Sequence, residues 1–116
     1  MQFHTDGIIF KVVSITGPTH NYLGLSFAEK TEVVGVYVEP LMLNAEEPIR
    51  LEASDVQHWV MKGVEQANRE LDANYKLKCV QFVASDTPPV EVYAQLARYI
   101  IERMHANLDA YNGESR

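Results

Sequence analysis

Residues 75–108, YKLKCVQFVASDTPPVEVYAQLARYIIERMHANL, decide the fold. Tyr75–Ala84 starts half polar at Lys76 and Lys78 and is apolar on both faces from Val80 onward, which predicts a strand in the interior of a sheet. The loop Ser85-Asp86-Thr87-Pro88-Pro89 ends it. Neither proline can continue a strand ladder, but both are compatible with a first helical turn, with Asp86 or Thr87 as N-cap. Val90, Tyr93, Leu96, Ala97, Ile100, Met104 and Leu108 then recur at helical spacing, an apolar stripe shaped to cover a sheet.

Upstream, Gly7–Ile15 reads as a strand rich in β-branched residues, followed by a turn at Gly17–Asn21. Tyr22–Ala28 and Glu32–Val38 both alternate with period two. Joined by a four-residue loop, they would pair as a hairpin in which Leu25 faces Val34, Gly24 faces Gly35 and Tyr22 faces Tyr37. Pro40–Leu51 reads as a loop anchored by Leu41, Leu43 and Ile49. Ser54 and Gln57 have capping-box spacing ahead of a helix over 55–71, whose face is Val56, Val60, Gly63, Val64, Ala67 and Leu71. Asn74 is the expected left-handed cap beyond it.

The expected architecture is an α+β two-layer sandwich of order β-β-β-α-β-α, a mixed sheet with both helices on one face. One domain covers 1–111, and the polar tail 112–116 is expected to fray. Such packing leaves the second face of the sheet open, and an apolar open face is a place for contact.

The chain has 116 residues, 47% of them hydrophobic, enough for a core without disulfides. Its lone cysteine, Cys79, and the absence of a leader-like or membrane-length apolar run lead to the expectation of a cytoplasmic protein that needs no membrane. The net charge is −6, concentrated between Glu29 and Asp55, where seven acids face two bases. That balance argues against nucleic acid, whose phosphates call for clustered Lys and Arg, and suits a basic protein partner or a solvated rim.

The strings Val60-Met61-Lys62-Gly63-Val64, Lys78-Cys79-Val80-Gln81-Phe82-Val83 and Tyr93-Ala94-Gln95-Leu96-Ala97 fall in an order that resembles domain IV of elongation factor G and the ribosomal-protection tetracycline-resistance proteins, the fold of a ribosomal protein's second domain. The similar region runs from Val56 to Leu108. The resemblance implies that α+β fold and, as one functional expectation, a ribosome-associated or translation-related role.

No phosphate loop, dinucleotide fingerprint, zinc motif or nucleophile elbow is present, so no cofactor and no metal are expected. His4, His20, His58 and His105 are scattered, without the short paired spacing of metal ligands. Cys79 alternates with Leu77, the pattern of a small buried apolar residue. Three sites are worth following. The first is a partner-binding shelf on the open face, made by Gly24 and Gly35 and walled by Tyr22, Val33 and Tyr37, unless the tyrosines lie over their own glycines. The second is an anion site at Ser85, Asp86 and Thr87, ahead of the helix, in competition with a self-satisfied cap. The third is a small enzyme site combining the Asp86–Thr87 loop with His20 or His58. The leading expectation is a non-enzymatic protein-binding or regulatory module that self-associates through its open sheet face or an edge strand, a homodimer being one such form, with its acidic rim offered to a protein partner.

Overall fold

In the computed structural model the elements run β1 (Gln2–Asp6), β2 (Ile9–Thr16), β3 (Thr19–Ala28), β4 (Tyr37–Leu41), α1 (Ala53–Leu71), β5 (Lys76–Val83) and α2 (Val92–Glu114). The structure describes residues 1–16, 19–29, 35–42 and 46–114, with 108–114 described by their backbone alone. The expected succession β-β-β-α-β-α is present as β2-β3-β4-α1-β5-α2. It is preceded by β1, a strand the alternation did not reveal because Gln2–Asp6 is polar at all but Phe3. Gly7, at φ +62°, makes the tight turn that joins β1 to β2.

The sheet order is β1-β2-β3-β5-β4. The first three contacts are antiparallel and β4 lies parallel to β5, so the sheet is mixed. β5 is interior, as its two-sided apolar character predicts. β4 is an edge, which is where Pro40 can be tolerated without breaking a shared ladder.

That order corrects the hairpin between 22–28 and 32–38. β5 sits between the two segments. Leu25 lies against Phe10 and Val80, and Gly24 against Lys11 and Gln81. Tyr37 pairs with Cys79. Period-two alternation says which face a residue occupies, but it carries no information about which strand lies alongside.

One face of the sheet carries Val12, Leu23, Leu25, Val80 and Phe82, all buried. They pack against Val56, Val60, Val64 and Ala67 of α1 and Tyr93, Leu96, Ala97, Ile100 and Ile101 of α2 in one core. Each such aliphatic side chain contributes about 1.5–3 kcal/mol by leaving water. The two helices approach closely at Gly63, where a β-carbon would collide with the backbone carbonyl of Ala94. At the far end an aromatic row, Phe3–Phe10–Phe27–Tyr75, crosses the same face with ring centroids 5.8–6.4 Å apart.

The helix ends differ in detail from expectation. α1 starts two residues earlier than the Ser54 capping box requires: its N-cap is Glu52, with no side-chain cap bond. Asp72, at φ 51°, takes the left-handed cap in place of Asn74. Asn68 ties the end of α1 to the start of β5 instead, donating to the Tyr75 carbonyl and accepting from its N–H. α2 begins at Val92, beyond the prolines. Residues 89–94 make i→i+3 bonds that lead into it, so Pro88 and Pro89 belong to the loop and not to the first helical turn. Of the loop anchors, Leu41 is half-buried, Ile49 is exposed, Leu43 lies outside the described residues, and the buried residue is Leu51, held by its N–H to the Ala84 carbonyl. Among the described residues no helix is long and apolar enough to cross a membrane.

Candidate functional site

The site grows from β3. Extending that strand back to Thr19 puts His20, Tyr22 and Gly24 on its outer face, away from the helices. The turn expected over 17–21 is therefore shorter: Thr19, His20 and Asn21 are strand residues, and Gly17 and Pro18 lie outside the described residues. His20 pairs with Ile15 and Tyr22 with Val13. The chain leaves β5 just beside this end, and its loop bonds back: Thr87 N–H donates to the His20 carbonyl at 3.2 Å, and His20 N–H to Thr87 Oγ1 at 3.1 Å.

Asp86 is the hub. Its residue is 2% exposed. Its Oδ1 lies 2.9 Å from His20 Nδ1, and its Oδ2 accepts the Tyr22 N–H at 2.6 Å and the Tyr93 hydroxyl at 3.2 Å. Asn21 is also buried; its amide donates to the Thr87 carbonyl at 2.8 Å and reaches the Tyr93 oxygen at 3.4 Å. Burial pushes the Tyr93 phenol well above its ordinary value; the Asn21 bond opposes that, and the Asp86 charge adds to it. With the carboxylate as acceptor, Nδ1 of His20 carries the hydrogen, and Nε2 is the ring nitrogen that Asp86 does not engage. The His20 side chain is about half exposed.

Beside this pair is a trough of about 360 Å³ lined by Val13, Ile15, His20, Asn21, Tyr22, Leu41, Val83 and Asp86. Its walls are aliphatic and aromatic, drawn from β2, β3, β4 and β5. The polar residues of its lining, His20, Asn21 and Asp86, belong to the hydrogen-bonded group just described. Few convergent polar groups over apolar walls is the usual make-up of a small-molecule pocket, and the volume falls at the small end of that class.

The sequence-predicted residues separate here. Tyr22 lies over Gly24: a β-carbon there would be 2.8 Å from the Tyr22 hydroxyl oxygen and 3.1 Å from Gln81 Oε1. Tyr22 donates to that Gln81 oxygen at 3.2 Å. Burial raises the Tyr22 phenol, while Lys11 pulls it down. Gly35 stands apart, with nothing within 4 Å of an added β-carbon, and Tyr37 is on β4, 63% exposed. The paired-glycine shelf does not form, because β5 separates its halves, and Val33 lies outside the described residues. In the Ser85–Thr87 loop each group has a partner within the chain. Ser85 donates to Glu47 Oε2 at 2.5 Å, Asp86 is the hub just described, and Thr87 holds His20. Asp86 in that loop and Glu47, which reaches it from the segment before α1, set two carboxylates against an anion there. Asp86 is not an N-cap; its oxygens serve the sheet and Tyr93.

Of the two histidines considered for the loop, His20 reaches Asp86. His58 packs edge-on against Trp59 on α1. The signal for His20 was its even spacing from Tyr22 and Gly24, hidden by reading 17–21 as a turn. Cys79 faces outward, because a bulge between Ser26 and Phe27 pairs Phe27 with Leu77 but Ser26 with Cys79. The expected alternation with Leu77 is thereby broken at Lys78. Burial, and then the charge of Glu39, raise the Cys79 thiol, the opposite of an activated nucleophile. Among the described residues no three of His, Cys, Asp or Glu gather as metal ligands would.

No protein-family model, curated protein or solved structure matches the chain.

Proposed function

We propose that this chain is a binding module that pairs with a second copy of itself through the open face of its sheet. The observation that supports it is the outer face, which no helix among the described residues covers and where Ile15 is 72% and Tyr37 63% exposed beside Val13 and Leu41. The charge pattern favours a like partner. One row crosses the face as His4–Lys11–Gly24–Gln81–Glu39, with Lys11, held 3.0 Å from Asp6, toward one side and Glu39, which accepts from Gln81, at the β4 edge. A two-fold axis parallel to the strands, between β3 and β5, sets Lys11 of each copy over Glu39 of the other. Five strands at ~4.8 Å spacing make a small interface, which fits a weak, concentration-dependent dimer.

Sedimentation velocity across a micromolar range tests this. The wild type should shift toward twice its monomer mass. Tyr37→Glu and Lys11→Glu should each hold it as a monomer, and Lys11→Glu combined with Glu39→Lys should restore pairing. A wild type that stays monomeric at every concentration removes the reading.

A second reading, a small enzyme at the Asp86 loop, gains from the meeting of His20 and Asp86 beside the trough. Its reaction would use Nε2 as a general base. The translation-related reading draws support from element order alone, and the acidic charge balance counts against RNA.

A further inference from the structure

We infer that the trough beside His20 is a small-molecule site that takes an apolar body bearing one hydroxyl group, such as a substituted phenol. The site is complete within one copy, so this does not rest on self-association.

Three features converge on that class. The walls, Val13, Ile15, Tyr22, Leu41 and Val83, offer only apolar surface and the flank of one aromatic ring. The volume of about 360 Å³ exceeds the ~150 Å³ that holds benzene in an engineered cavity and falls short of most drug-sized pockets. The polar anchor is a single imidazole edge. Its Nδ1 is fixed 2.9 Å from Asp86 Oδ1, and Asp86 is itself fixed by Tyr22 N–H and the Tyr93 hydroxyl, so the ring cannot turn to meet a ligand with its other nitrogen without breaking that bond. A ligand therefore meets Nε2. A hydroxyl satisfies Nε2 in either of its states with a single atom, donating to the bare nitrogen and accepting from the protonated one, and brings less polar surface to the apolar walls than an amide does. A carboxylate would approach the Asp86 charge, and an ammonium would leave water for walls that return no hydrogen bonds. Asn21 adds no second anchor, because its amide is engaged with Thr87 and Tyr93.

The test is a two-dimensional amide-shift titration of the full chain with 4-methylphenol and with toluene, its counterpart without the hydroxyl. The amides of Val13, Tyr22 and Val83 should move with both compounds, and 4-methylphenol should bind on the order of five-fold more tightly, the worth of one net hydrogen bond. His20→Leu should bring the two compounds to equal affinity. Val13→Trp, which fills the trough from a half-buried strand position, should abolish binding of both. Val13, Ile15 and Leu41 also belong to the pairing face, so the titration is repeated in Lys11→Glu, where the preference for 4-methylphenol over toluene should persist without pairing. The inference is overturned by equal affinities in the wild type, by a preference that survives His20→Leu, or by shifts that map away from the trough or do not occur.

Discussion

Asp86 and Tyr93 are seven residues apart, yet the Tyr93 hydroxyl donates to Asp86 Oδ2 at 3.2 Å while the same oxygen takes the Tyr22 N–H. One carboxylate thus joins the start of α2, the loop after β5 and the middle of β3. Asp86→Ala removes an acceptor from two donors shielded from water. It should cost about 2–4 kcal/mol in urea unfolding. Asp86→Asn keeps an acceptor and should cost less. His20→Ala, at the exposed partner, should cost under ~1 kcal/mol. Equal losses for Asp86→Ala and His20→Ala would show that the histidine, and not the backbone and tyrosine, is what Asp86 holds.

Tyr93 sets an alkaline limit. Its folded-state pKa is raised above the unfolded value, chiefly by burial. Its contribution is therefore complete below the unfolded tyrosine pKa of about 10 and is lost as pH climbs beyond it. Stability measured from pH 8 to 11.5 should fall in the wild type above pH ~10. Tyr93→Phe should begin about 1 kcal/mol lower, from its lost hydrogen bonds, and decline less steeply.

Gly63 separates packing from propensity. In an isolated helix, Gly→Ala gains about 1 kcal/mol. Here the new methyl would strike the Ala94 carbonyl, a backbone atom that cannot swing aside. Gly63→Ala should therefore destabilise, by about 1–3 kcal/mol and with a lower Tm, because α1 and α2 must part. A rise in Tm would refute the close helix crossing.

Gly24 and Gly35 should respond unequally. Alanine at 35 meets open space and should leave Tm unchanged or slightly raised. Alanine at 24 displaces the Tyr22 hydroxyl from Gln81, both flexible side-chain ends, and should cost about 1 kcal/mol. Matched effects at the two positions would restore the paired shelf that the strand order denies.

Cys79 should react slowly with a disulfide reagent at pH 7.5, more slowly than a free thiol of ordinary pKa, because burial and Glu39 both disfavour its thiolate. Glu39→Gln should speed the reaction modestly, and loss of that acceleration would separate the thiol from Glu39.

The layers were legible in the sequence and the neighbours were not. The helical stripes of 56–71 and 90–108 pointed to one sheet face because a 3.6-residue period is a direct image of a helix surface. The interior place of β5 was legible because Val80–Ala84, apart from Gln81, is apolar on both sides. Strand partners are a different kind of information. Leu25 would satisfy Val34 or Val80 equally well, so nothing in Tyr22–Ala28 chooses between them. The bulge that turns Cys79 outward is likewise silent, since Leu77-Lys78-Cys79 reads as plain alternation. At the candidate site, Asp86 was visible as loop punctuation, but its partner His20 lies 66 residues away. Joining the two required the position of β3, which local pattern does not supply.

β5 enters the sheet between two strands that precede it in the chain by dozens of residues. During synthesis β3 and β4 must therefore emerge with their inner edges bare, and they stay so until residues 76–83 clear the ribosome. For that interval β3 and β4 each present an unpaired edge, with which another extended peptide can pair. The order of the strands thus makes the last third of the molecule the closing piece, and a chain cut short before Val83 an aggregation hazard.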